Sequence, residues 1–142
     1  MEGEPPFLTL SDKHSPGTSV RDPVTQYGYF DYNSMVDMLN GFETDYPDLV
    51  DLSTAQDVYS IPDCVDGYKT YMLRISNETR VSSSTPEVLF LGGIHGDEKI
   101  SVSAAMYLAK FLLENYHNDE YLRYLVDNRE IYIMPCLNAY GL

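Results

Sequence analysis

A chain of 142 residues is long enough for one domain with a buried core, and 44% hydrophobic against 22% charged residues argues against a disordered or fibrous class. A formal net charge of −13 with only nine Lys and Arg argues against a nucleic-acid partner and against docking on an anionic membrane, because both need clustered cations. No apolar run approaches the roughly 18–20 residues of a membrane span, and Met1-Glu2-Gly3-Glu4-Pro5-Pro6 has neither the basic nor the apolar region of a signal peptide. The cytoplasm is therefore the default expectation.

Residues 1–27 hold four of the eight prolines, several Ser and Thr and no period, and read as an extended N-terminal arm ahead of a single unit at 28–142. Between Arg21 and Lys69 there are ten acids and no basic residue, expected as a solvated acidic face, with attraction of a cationic substrate as the functional alternative. Met35, Leu39, Phe42 and Tyr46 recur at helical spacing, with Asn33 or Ser34 as the expected cap and Pro47 as the stop. Residues 49–60 and 68–76 read as the two strands of a hairpin around turn chemistry at Asp63–Gly67. A glycosylation sequon, Asn77-Glu78-Thr79, follows, and then a Ser-rich connection over Thr79–Pro86.

Val88-Leu89-Phe90-Leu91 is a continuous apolar run ended by Gly92-Gly93, the pattern of a strand covered on both faces. Val102, Met106, Ala109, Leu113 and Tyr116 mark a helix, and a shorter one is expected over 119–127. Ile131–Met134 reads as another buried strand, ended by Pro135. The order predicts an α/β sheet with an antiparallel edge. The two cysteines, Cys64 and Cys136, form no CxxC or zinc-finger spacing and are expected as semi-buried thiols, with one disulfide between them as the alternative.

The chemistry concentrates between the apolar strand and its helix, in Leu91-Gly92-Gly93-Ile94-His95-Gly96-Asp97-Glu98. In open α/β sheets ligands bind outside the carboxyl ends of strands. An imidazole and a carboxylate three residues apart emerge there, and both are good zinc ligands. Glycines at 92, 93 and 96 allow a tight turn and a close approach to whatever is bound. The structural alternative gives Asp97 the role of helix N-cap and places Glu98 at the positive end of the helix dipole. His95 is then a hydrogen-bonding loop residue.

Gly93-Ile94-His95-Gly96-Asp97-Glu98 resembles the zinc-binding turn of the zinc metallocarboxypeptidases of the carboxypeptidase A/B type. Further matches follow in order. Tyr46-Pro47-Asp48-Leu49-Val50 resembles the junction after that family's opening helix. Residues 51–76 resemble its first hairpin. Ile133–Gly141 resembles the strand leading to its Asn-Pro-Asp-Gly turn, with Ala139 and Tyr140 in place of Pro and Asp and with Asn138 and Gly141 keeping the frame. The resemblance, over about residues 27–142, implies the N-terminal part of a mixed-sheet α/β domain, a hairpin plus parallel strands with flanking helices.

It also implies Zn²⁺ as cofactor, His95 and Glu98 as two ligands, and peptide or protein C-termini as substrates. The family's third ligand, its carboxylate-binding arginine, its substrate tyrosine and its glutamate base lie downstream, so no catalytic residue is expected within this chain. His14 and His117 do not substitute: the first sits in the arm, and the second lies a helix length from the turn. Many members of the family are secreted. A zinc deacylase of the aspartoacylase and succinylglutamate desuccinylase type shares the turn but normally lacks the opening helix and hairpin. The remaining alternative is a non-catalytic fragment. Lys99, Arg74 and Arg80 are expected in surface roles, and the thirteen tyrosines in half-buried packing.

Overall fold

The computed structural model describes residues 28–142, so the predicted arm over 1–27 and His14 lie outside the described residues. Helix α1 (Tyr32–Asp45) buries Met35, Leu39 and Phe42 as the spacing requires. Its cap is Asp31, two residues before Asn33 and three before Ser34. The Asp31 carboxylate accepts from Ser34 N at 2.8 Å while the Ser34 hydroxyl accepts from Asp31 N at 3.0 Å, a reciprocal box. The Ser34 hydroxyl, which also donates to the Asp31 carboxylate at 2.6 Å, and then Ser34 N hold the Asp31 carboxyl below the ordinary carboxylate range. Its contribution is therefore present above that range and fades as the pH falls through it.

Strand β1 (Val50–Thr54) and strand β2 (Tyr71–Ile75) form the predicted antiparallel hairpin. The strand expected over 49–60 stops at Thr54, and α2 (Ala55–Tyr59) takes the rest. Thr54 causes the change: its hydroxyl oxygen accepts from Asp57 N at 3.2 Å and so caps a helix where the strand would continue. Buried Gln56 then accepts from Thr70 N at 2.9 Å, tying this turn to the hairpin.

After β3 (Glu87–Leu91) come α3 (Lys99–Asn115), α4 (Glu120–Asp127) and β4 (Glu130–Met134). The sheet order is β1-β2-β4-β3, with β4 antiparallel to β2 and parallel to β3. Register pairs Leu73 with Ile133, Ile75 with Ile131, and Ile133 with Phe90, so these side chains share one face. That face meets the buried stripes of α1, α3 and α4 in one core with Leu39, Met106, Leu113 and Val126. The opposite face carries Met72, Arg74, Tyr132 and Met134, half-buried, and exposed Leu89 and Leu91. Arg74 there pairs with Glu78 and with Glu130, 2.7 Å away. This corrects its expected surface role: it is a half-buried strut across β2 and β4.

The prediction for β3 is also corrected. Val88, Leu89, Phe90 and Leu91 are 37%, 56%, 42% and 47% exposed. β3 is the sheet edge, and among the described residues nothing pairs with its outer side. Its composition suits an inner strand, with no Lys, Pro or bulge to blunt it. The acidic stretch is, as expected, mostly solvated, with Asp57 and Asp63 flanking Lys69 at 3.1 and 3.9 Å.

Two substitutions separate edge from core. Leu89→Lys is expected to reduce concentration-dependent association in light scattering while changing stability by no more than about 0.5 kcal/mol. Ile133→Ala, at a fully buried site, is expected to cost about 2–5 kcal/mol in denaturant unfolding.

Candidate metal centre

The turn after β3 is fixed by the segment after β4. Past the end of the parallel ladder, Gly92 N donates to Met134 O at 2.9 Å, Leu137 N to Gly92 O at 3.0 Å, and Asn138 N to Gly93 O at 2.8 Å. Gly93 has φ +56°, and a Cβ there would stand 2.9 Å from the Cys136 backbone. Gly96 lies so close to Gly141 that any Cβ would overlap its backbone. The expected close approach is thus to the chain's own 135–141 segment. That segment ends in a short 3₁₀ turn at Ala139–Gly141, in which Asn138 Oδ1 accepts from Gly141 N at 3.2 Å. Ala139 and Tyr140 are accommodated in this turn, and Ala139 is buried beneath it.

The other end of the turn is held by Ser101, which sequence reasoning missed. Its hydroxyl accepts from Gly93 N at 3.0 Å and donates to Glu98 O at 2.9 Å, bridging the glycines to the first turn of α3. Only its place three residues beyond Glu98 could have signalled this. Glu98 N donates to His95 O at 3.1 Å.

This backbone brings His95 and Glu98 together. His95 Nδ1 stands 3.2 Å from Glu98 Oε1, and the side chains are 70% and 58% exposed. The capping alternative is corrected for Asp97: α3 starts at Lys99, its N-cap position is Glu98, and no side chain caps it. Glu98 does stand at the positive end of the helix dipole, as that alternative expected, with its carboxylate not hydrogen-bonded to the helix N-terminus. A shallow depression beside the pair is lined by Tyr29, Asp97, Glu98, Lys99, Ile100 and Ser101.

Other donors stay apart. His117 lies beyond the far end of α3, a helix about 25 Å long at 1.5 Å per residue, and rests against the Tyr116 ring. Cys136 touches Gly93, yet burial pushes its thiol up to about 11, so it remains protonated at neutral pH and is a poor ligand. Cys64 lies in the hairpin loop against Gln56, and both thiols are free. Among the described residues no group of three His, Cys, Asp or Glu comes together around one point.

A sequence profile of zinc carboxypeptidases matches residues 35–142. The chain belongs to the zinc carboxypeptidase family. It is 33% identical to a zinc carboxypeptidase of Saccharothrix mutabilis subsp. capreolus over 115 residues, 81% of this chain and 25% of that protein. It is 31% identical to carboxypeptidase D of Mus musculus over 116 residues, 81% of this chain and 8% of the relative. The chain therefore spans a quarter or less of these relatives.

Two solved structures share the fold. Thrombin activatable fibrinolysis inhibitor gives a TM-score of 0.69 at 22% identity, covering 81% of this chain and 27% of that one. Carboxypeptidase A from Helicoverpa armigera gives 0.65 at 20% identity, covering 78% and 25%. The mixed sheet with flanking helices is thus the fold of this zinc carboxypeptidase segment.

Gly96→Ala is expected to destabilise the chain by several kcal/mol or to block folding, since its Cβ meets backbone rather than a movable side chain. Thiol labelling at neutral pH is expected to modify Cys64 in the native chain, and Cys136 only after unfolding, as read by mass spectrometry of tryptic peptides.

Proposed function

We propose that this chain supplies the metal-holding turn of a zinc-dependent exopeptidase that removes C-terminal residues from peptides and proteins. The observation that carries this reading is the convergence of His95 Nδ1 and Glu98 Oε1 at the carboxyl end of β3, in a chain of the zinc carboxypeptidase family. An imidazole nitrogen and a carboxylate oxygen are donors that zinc accepts, so the pair fits as two of its protein ligands. A zinc ion held there would supply Lewis-acid polarisation of a peptide carbonyl and activation of water.

The residues of this chain do the positioning. Gly93 and Gly96 let the backbone close onto 136–141, and Ser101 locks that backbone to α3. Both side chains are then presented from a backbone already fixed by hydrogen bonds. The described residues assign no general base, and the resemblance places that glutamate and the third ligand outside them. Arg74 is not free to hold a substrate carboxylate, because it is paired with Glu78 and Glu130, and Arg80 is an exposed side chain whose Nε faces Asp127. Helix α1 and the β1–β2 hairpin are integral to the sheet and its core, which supports the peptidase reading over the deacylase one.

Isothermal titration tests the ligand assignment. The chain is expected to bind zinc, and His95→Ala and Glu98→Ala are each expected to weaken binding at least about tenfold. His117→Ala should leave it unchanged. Unaltered binding in both ligand variants would falsify the assignment. With the remaining ligand and base supplied, zinc-dependent release of single C-terminal residues from a peptide is expected. Release of the acyl group from an N-acyl amino acid instead would favour the deacylase.

A further inference from the structure

The Asn77-Glu78-Thr79 sequon lies just past β2, where the chain turns back against α3 and α4. The backbone there is pinned twice: Asn77 N donates to Val126 O at 3.2 Å, and the Ser76 hydroxyl donates to Arg129 O at 3.0 Å. The Asn77 side chain goes further in. Its Nδ2 donates to Asp127 Oδ1 at 2.8 Å and to the Tyr116 hydroxyl at 3.0 Å. That hydroxyl donates to the same Asp127 oxygen at 2.7 Å, and Arg80 Nε stands 3.4 Å from the other. Asn77 Oδ1 accepts from Thr79 N at 3.1 Å and from the Thr79 hydroxyl at 2.7 Å. The orientation of the amide is dictated by its partners: a carboxylate needs the NH₂ end, and a backbone N–H needs the oxygen.

Every hydrogen-bonding position of Asn77 is therefore in use, and its NH₂ end faces Tyr116 and Asp127, both at least nine-tenths buried. Attaching a sugar forms a bond from Nδ2 to the anomeric carbon. The bond from that carbon to the donor's phosphate breaks, the nucleotide or lipid phosphate leaves, and the amide gives up one proton. Whichever proton is lost, one buried partner loses its donor, and the sugar must occupy space that Tyr116 or Asp127 fills. We infer that the native fold and an N-linked sugar at Asn77 are mutually exclusive: the sequon encodes a clamp in which half-buried Asn77 joins the end of β2 to buried groups at the ends of α3 and α4, and it takes a glycan only while the chain is unfolded.

A soluble N-glucosyltransferase that uses a nucleotide-activated glucose and accepts Asn-x-Thr provides the test. The purified native chain is compared with a peptide spanning residues 70–85 that the enzyme modifies, with products read by mass spectrometry. The native chain is expected to be modified more than about tenfold more slowly, because modification must wait for the clamp to open. A parallel measurement compares thermal midpoints. Asn77→Gln moves the amide one methylene out of register and is expected to lower the midpoint by about 5 °C or more, or to prevent folding. Thr79→Ala abolishes the sequon yet keeps the buried partners, and is expected to fold with a smaller loss. A native chain glucosylated at Asn77 as fast as the peptide overturns the inference. So does an Asn77→Gln variant that melts no lower than Thr79→Ala.

Discussion

The parallel β3–β4 ladder does not stop at Leu91 and Met134. Its pairing runs on through Gly92, and the chain beyond Pro135 continues alongside the outgoing loop in the same direction, so that Leu137 and Asn138 donate to the carbonyls of Gly92 and Gly93. Extended backbone that leaves a strand end is ordinarily free to move. Here it is clamped from two sides, by 135–141 and by Ser101 on α3. The spacing of His95 and Glu98 follows from that clamp. Their side chains make no buried contact that could place them otherwise, being the exposed parts of a backbone whose glycines are buried.

The same arrangement explains why the sheet is so unequal on its two sides. Helices α1, α3 and α4 gather against Leu73, Ile75, Ile131 and Ile133 and close one core. The other face and the outer side of β3 carry apolar residues that the described elements leave open. A strand with the composition of an inner strand standing at an edge is a local inconsistency, since edge strands normally carry features that discourage further pairing. Buried polar chemistry, by contrast, is fully satisfied. The Asn77–Tyr116–Asp127 cluster joins three elements, and no buried side-chain nitrogen or oxygen among the described residues lacks a partner.

Much of this was legible in the sequence, for reasons that can be named. Helical spacing marked α3 because all five of its periodic residues, Val102 to Tyr116, face the core. Alternation marked β2 because one face alone is packed. What escaped depended on local bonds that leave no period or on partners distant in sequence. The end of β1 was set by the Thr54 cap, whose competition with strand continuation has no period. For β3, composition reports what a strand is suited to, whereas its neighbours decide what covers it, and among the described residues none lies along its outer side. The glycines were rightly singled out, but the object they approach, at 136–141, emerges only once β4 lies beside β3. Ser101 carried no signal beyond its spacing from Glu98.

The central claim is that this backbone clamp presents one imidazole and one carboxylate as a zinc-binding pair. X-ray absorption at the zinc edge, on the wild-type chain and on His95→Ala, tests it most directly. The account predicts a first shell of nitrogen and oxygen alone at about 2.0–2.2 Å, with an imidazole signature that disappears in His95→Ala. Sulfur at about 2.3 Å, or an imidazole signature that survives the substitution, would contradict it.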